Sequence, residues 1–410
     1  SQQLFVARDR MGIKPLYFNI TSKAFTFASN SQALLTQKID KSINPVALHQ
    51  QLSLHGVVPA PNTIINGIHK LKPGTFVTLS VNGKLREKTY WHPSAKRLEE
   101  NISEQDYIER THELLTAAVM KRMSASDVPI GVLLSGGLDS SLIVALLKEA
   151  GHEDIRTFSI GFEDIDDEVG SEFEYSDQIV SRFNTQHKKY QVSNKEVLPR
   201  LSDAVLNMSE PMVGQDAVAF YLLSEQVSKH TKVVLSGQGA DEAFAGYFWY
   251  PRMANEQGNE VERFSKHYVD RPHDEYLQTV SSIYQGENHT HNWLNKEFLK
   301  PGADSFIDKV FRTDMTRLIV DDPVKRVDNM TMAWGLEARV PFMDTDLVEW
   351  ALSIPPSLKM RDGGKYPLKQ ISRGLLPDSV IDRKKGYFPM PALKYIQGDF
   401  LEFMSDILLS

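Results

Sequence analysis

The chain has 410 residues, 41% of them hydrophobic and 24% charged, with no cysteine. That composition excludes a disordered or collagen-like chain, a disulfide framework, a thiolate zinc site and a cysteine nucleophile within these residues, and no apolar run approaches the ~20 residues needed to span a bilayer. The formal charge is −7, but the first hundred residues carry 13 Lys and Arg against 5 Asp and Glu, dispersed rather than clustered, which points to a complementary face between two parts of the chain, or to a partner segment, rather than to a nucleic-acid arm.

The length suggests two or three domains. The opening SQQLFVARDRMGIKPLYF reads as folded sequence, with neither a leader pattern nor the look of a natural N-terminus. The first ~90 residues alternate with period two, as short strands and turns do. LYFNITSKAFTFAS predicts two strands around Thr21-Ser22, and FVTLSVNGKLREKTYW a hairpin with a type I′ turn at Asn82-Gly83. Between them Asn44-Pro45 opens a short helix, VALHQQLSLHG, and VVPAPNTI is a loop.

After HPSAK the pattern changes. Ser103 is the predicted N-cap of a helix from Glu104 to about Arg122. Strands and helices then alternate: strands at 127–134, 156–162, 187–192 and 232–237, and helices at 140–150, 176–184, 197–208 and 217–230. Repeated β-α units of this length predict a parallel, doubly wound sheet. Beyond Tyr250 the chain reads as mostly helical. The acidic run EDIDDEVGSEFE reads as a solvated or mobile loop, His289 and His291 as a polar loop rather than a metal site, and the cluster Phe248, Trp249 and Tyr250 as core or pocket wall.

The informative segment is Ser135-Gly136-Gly137-Leu138-Asp139-Ser140-Ser141, between a buried strand and a helix. Two glycines permit a tight turn that exposes backbone N–H groups. Ser135 and Ser140 add hydroxyls, and the helix N-terminus adds partial positive charge, so the loop is an anion cradle. It lacks the Gly-Lys-[Ser/Thr] of a Walker A loop. Asp139 beside the cradle makes sense as a carboxylate for Mg²⁺ carried on phosphates. The plain alternative is a Gly-rich turn capped by Asp139. A second loop, Ser236-Gly237-Gln238-Gly239-Ala240-Asp241-Glu242, repeats the logic after the last of these strands. In an open parallel sheet, ligands sit at strand carboxyl ends, so both loops can face one polyphosphate, with Asp139 and Asp241 as a metal pair.

These motifs resemble the ATP-pyrophosphatase (adenine nucleotide alpha-hydrolase-like) sheet. Together with WGLEARVPFMD (Trp334 to Asp344) and Gly364-Lys365-Tyr366, they are similar to the synthetase domain of asparagine-synthetase-type class-II glutamine amidotransferases. ARDRMGIKPLYF, FTFAS and TYW resemble the second half of the Ntn-type glutaminase domain that precedes it. The resemblance implies a partial glutaminase domain over residues 1–95, a synthetase domain over 103–410 and a helical C-terminal part. It implies adenosine contacts at Leu134 and Ile160. Ser135, Gly136, Gly137, Asp139, Ser140, Ser236 and Gly237 would hold phosphates, and Asp139 and Asp241 the metal. Lys365 would stabilise charge on the reacting centre. It further implies an ATP-dependent, AMP-forming ligase with Mg²⁺, acting on a small-molecule carboxylate with glutamine or ammonia. The setting implied is cytoplasmic, with no nucleic-acid or membrane partner and a homodimer as one option. A nucleotide-binding scaffold that has lost turnover is the rival from another class.

Two departures stand out. Family members that make asparagine usually carry Glu where this chain has Gln238, and an amide cannot serve as a base. The family's cysteine nucleophile is absent from these residues. The segment Glu210-Pro-Met-Val-Gly-Gln215-Asp216, leading to Phe220, together with Tyr247 to Tyr250, is similar to bacterial N-acetylglutaminylglutamine amidotransferases. Gln215, Asp216 and Gln238 are then the expected acceptor contacts, and an osmoprotectant dipeptide ranks ahead of aspartate as acceptor.

Overall fold

The computed structural model describes residues 3–98, 101–165, 169–213, 216–383 and 397–409. The N-terminal strands are β1 (Gln3–Ala7), β2 (Tyr17–Ile20), β3 (Phe25–Ala28), β4 (His69–Lys70), β5 (Thr75–Ser80) and β6 (Leu85–Thr89). They form two small antiparallel sheets, ordered β1-β5-β6 and β3-β2-β4. Both expected hairpins are present. The turn at Asn82-Gly83 is not type I′, which needs positive φ at both central residues. Only Gly83 has it, at +78°. The Asn82 carboxamide oxygen instead accepts from the Ser80 hydroxyl and the Lys84 amide, and the Ser80–Lys84 loop is longer than two residues. Asn44 caps the Pro45–Ser53 helix as expected, its side chain accepting from Val46 N and Ala47 N.

The second part is built on five parallel strands: β7 (Ile130–Leu133), β8 (Arg156–Phe162), β9 (Gln186–Val192), β10 (Val233–Leu235) and β11 (Glu337–Arg339). Their order is β11-β10-β7-β8-β9. The chain runs outward from β7 through β8 to β9, then restarts at β10 on the other side of β7. The switch point therefore lies between β7 and β10, and crossover helices cover the sheet. The Leu138–Glu149 helix is buried on nearly all sides, as its run SSLIVALL requires. Ser103 and Asp106 close a capping box on the Glu104–Ser124 helix. Beyond Tyr250 the chain is mostly helical, and β11 is the exception that the sequence did not announce.

The charge asymmetry resolves into contacts between the two parts. Lys70 on β4 lies buried with its Nζ 2.7 Å from Glu210 Oε2 and 2.8 Å from Asp321 Oδ1. Lys14 Nζ reaches Asp328 Oδ1 at 2.8 Å, and Arg97 pairs with the buried Asp308. Basic residues of the first hundred thus meet acids of the remainder.

His289 begins a helix, His289–Phe298, instead of lying in a loop; Asn288 caps it by accepting from His291 N. The acidic run is described only in part. Its Gly170 amide donates to Asp164 Oδ1 at 2.7 Å, and Glu172 pairs with Arg383, so that end is anchored rather than simply solvated.

Candidate active site

One cleft of about 650 Å³ opens at the switch point. β7 delivers Leu134 and the Ser135–Ser140 loop to it, β8 delivers Ile160, and β10 delivers Ser236, Gly237, Gln238 and Asp241. The local folding follows from the residues. Gly136 has φ +76°, and a Cβ there would come within 2.5 Å of Ser176 N, so only glycine lets the loop turn against the neighbouring helix. The Leu138–Glu149 helix is capped by Gly137 without a side-chain bond, which places Asp139 in the first turn and not at the N-cap. Its amide ends stay open to the cleft for an anion. The Ser135 amide donates to Ser140 Oγ at 3.2 Å, which closes the cradle on itself.

Lys365 arrives from a distant loop. Gly363, Gly364 and Lys365 all have positive φ, at +79°, +97° and +55°. A Cβ at Gly364 would meet Ala245 O at 2.1 Å, so the turn is closed to larger residues. The Lys365 amide donates to Phe244 O at 2.9 Å and anchors the loop on the β10 side. Its Nζ lies 2.6 Å from Asp139 Oδ2 and 2.7 Å from Asp241 Oδ1. Burial alone would lower the lysine's pKa, but the two carboxylates outweigh it and the net shift is upward, so it stays charged. Two carboxylates thus converge on one cation position. Among the described residues no group of three or more His, Cys, Asp or Glu could hold a metal by itself. A pair of carboxylates completed by substrate phosphates is nonetheless a donor set that suits Mg²⁺.

The far wall is acidic and aromatic. Phe220, Tyr247, Trp249 and Tyr268 line it, with Glu242, Asp314, Asp216 and Asp322. Tyr247 donates to Glu242 Oε1 at 2.7 Å, and burial together with Glu242 pushes its phenol well above the usual range. Tyr250, fully buried behind, donates to Asp314, whose carboxyl is raised well above the usual range by burial and by Glu242. Asp314 opens a π-helical turn, Asp314–Leu318, a feature that recurs at functional sites.

The cleft gathers Leu134, Ser135, Gly137, Asp139, Ser140, Ile160, Asp216, Ser236, Gly237, Gln238, Asp241 and Lys365. Gly136 shapes the loop from behind. Gln215 lies outside the described residues. Sequence reasoning missed Glu172, Arg383, Asp314, Asp322 and Arg326, which also line the cleft. No local motif marks them; they converge only through tertiary packing. Of the aromatic cluster, Tyr250 is core and Trp249 is wall, while Phe248 is 52% exposed under Arg252.

A parallel sheet of this topology, with two Ser-Gly loops and facing carboxylates at its switch point, defines the ATP-pyrophosphatase class. Residues 110–410 match the asparagine synthase family and residues 1–91 the glutamine amidotransferase domain. The chain belongs to the asparagine synthase family, whose members are ATP-dependent carbon–nitrogen ligases. It is 29% identical over 439 residues to glutamine-hydrolysing asparagine synthetase 1 of Bacillus subtilis strain 168, covering 99% of this chain and 68% of that protein. It is 34% identical over 250 residues to a putative glutamine-hydrolysing asparagine synthetase 2 of Methanocaldococcus jannaschii, covering 60% of this chain and 47% of that protein. The chain spans about two thirds of the length of several curated relatives. A glutamine-dependent NAD⁺ synthetase from Acinetobacter baumannii, solved with ADP, aligns over 49% of this chain and 41% of its own, with 17% identity and a TM-score of 0.27.

Proposed function

We propose that the chain amidates a small-molecule carboxylate at the expense of ATP, in two half-reactions. The acceptor carboxylate attacks the α-phosphorus, giving an acyl-adenylate and releasing pyrophosphate. Ammonia then attacks the acyl carbon, AMP leaves with the C–O bonding pair, and the nitrogen loses a proton. The observation that carries this reading is Lys365 lying between Asp139 and Asp241 at the mouth of both Ser-Gly loops. Ser135, Gly136, Gly137, Ser140, Ser236 and Gly237 hold the phosphates through backbone and hydroxyl donors. Leu134 and Ile160 flank the adenosine. Lys365 stabilises the negative charge that builds on the phosphorane and on the tetrahedral adduct. Mg²⁺, when bound by Asp139 and Asp241, supplies charge neutralisation on the phosphates.

Within this reading residues 1–95 are the second half of a glutaminase domain and 103–410 the synthetase domain, and in the whole protein glutamine is the ammonia source. The setting is cytoplasmic. No helix among the described residues is long and apolar enough to cross a membrane.

For the acceptor we place N-acetylglutaminylglutamine ahead of aspartate. A cleft of about 650 Å³ leaves room beyond a nucleotide for a long acceptor. Phe220, Tyr247, Trp249 and Tyr268 suit its apolar stem, and Gln238 offers an amide to pair with its amides. Aspartate is the second reading, favoured by the names of the relatives. The test is competition: AMP release by the chain with ammonia, comparing the two acceptors. Clear preference for aspartate leaves asparagine synthesis standing, and no acceptor-dependent pyrophosphate at all leaves the scaffold.

A further inference from the structure

Arg326 projects from the Pro323–Met332 helix into the acidic wall of the cleft, with its side chain 12% exposed. One Nη donates to Asp216 Oδ2 at 2.6 Å and the other to Asp322. Two carboxylates from different elements therefore fix the plane of the guanidinium and neutralise its charge. Its Nε–H is buried and, among the described residues, has no hydrogen-bond partner. A buried donor without an acceptor carries its full desolvation cost, which an oxygen brought into the cleft by a ligand would relieve.

The surroundings narrow the kind of oxygen. Asp216, Asp314 and Asp322 share this wall with Arg326, and Tyr247 is within its electrostatic reach. Asp216 and Asp322, both paired with the one guanidinium, leave a net negative charge there that repels phosphate oxygens and disfavours a further carboxylate. A neutral carbonyl oxygen meets no such repulsion. The wall's carboxylates can in turn accept from amide N–H groups.

We propose that Arg326 determines acceptor specificity: its Nε–H donates to a neutral amide carbonyl of the acceptor, remote from the carboxylate that is adenylated. This rests on the AMP-forming reading above and narrows it to amide-bearing carboxylates. Geometry of the fork makes Arg326→Lys informative. Lysine keeps a positive charge between Asp216 and Asp322 but has no donor at the Nε position.

The test uses the full chain with ATP and ammonia, measuring AMP against acceptor concentration. The probes are N-acetylglutaminylglutamine and two analogues in which the acetyl or the peptide carbonyl oxygen is exchanged for sulfur, a weak acceptor. The expected result is that R326K raises the acceptor KM roughly 10- to 100-fold, the range of one hydrogen bond to a charged donor, with kcat and the ATP KM within a few-fold. One thioamide should bind the wild type about 10-fold more weakly, and R326K should lose that discrimination. An acceptor KM within twofold of wild type in R326K, or equal wild-type affinity for both thioamides and the parent, overturns the assignment. The thioamide series needs no variant, so it decides even where R326K fails to fold. Preference of the wild type for aspartate overturns the amide-carbonyl assignment while leaving AMP formation intact. Absence of AMP with every carboxylate overturns the underlying reading and the assignment with it.

Discussion

Lys365 Nζ lies 2.6 Å from Asp139 Oδ2, joining residues 226 positions apart in the chain, and 2.7 Å from Asp241 Oδ1. A single ammonium therefore ties the loop after β7 to the loop after β10. The bond falls where charge is transferred in the proposed reaction, and it gives the first tests.

Asp139→Ala removes one of two converging carboxylates. The expected outcome is loss of ATP–pyrophosphate exchange by a factor of ~100 or more, since one anchor for the phosphate charge is gone. The wild type should release AMP and pyrophosphate. ADP and orthophosphate as main products, read by ion-exchange chromatography, would contradict the assignment of both loops.

Lys365→Met keeps the phosphate loops and removes the cation between Asp139 and Asp241. Turnover should fall by ~10²- to 10³-fold, the usual cost of one transition-state charge contact. ATP affinity, read by equilibrium dialysis, should stay within a few-fold. A parallel loss of ATP binding would make Lys365 a ground-state ligand instead.

Nitrogen supply follows from composition. With no cysteine among its 410 residues, this chain should use free ammonia and not glutamine. Glutamate released from glutamine by the purified chain, measured with a coupled dehydrogenase, would show a different nucleophile.

Acid should loosen the seam between the two parts. His49, on the Pro45–Ser53 helix, sits 3.0 Å from His273 Nδ1 and 2.9 Å from Thr290 Oγ1. Burial, with His273 and His289 nearby, pushes its pKa down from 6.5 to about 4. The unfolded chain therefore binds more protons between those values. The stabilisation is complete above pH 6.5 and is lost as pH falls toward 4. His92, also pushed to about 4 by burial and Arg312, acts in the same sense. Tm should drop by several degrees between pH 7.5 and 5, and His49→Gln should shrink that drop without abolishing it.

Lys70→Met leaves Glu210 and Asp321 buried without their common partner. The expected destabilisation is about 3–5 kcal/mol in urea unfolding. A loss below ~1 kcal/mol would mean that water or Lys325 takes over the charge.

Local pattern carried most of the fold. Arg156–Phe162 appears with its expected bounds because an apolar run between turn residues has few other solutions. β11 was invisible for the opposite reason. Among the described residues Glu337–Arg339 pairs only with β10, at the sheet edge, and its Glu and Arg give no apolar alternation. The phosphate loops were legible because glycine, serine and aspartate act within one turn. Lys365 was found only through resemblance, since nothing in its spacing announces a partner 226 residues away. Arg326 and Glu172 carried no signal, because each acquires its meaning from a partner on another element.

The placement of Lys365 makes the chain its own counterion. Asp139 and Asp241 would otherwise face each other as like charges in a confined space, at a cost to folding. The ammonium removes that repulsion before any ligand arrives, so the sheet can assemble without borrowing a cation from solution. In the proposed reaction, loading would exchange one positive charge for another. Asp139 and Asp241 would then hold a metal where the ammonium now sits, and Lys365 would be left to stabilise the negative charge that develops.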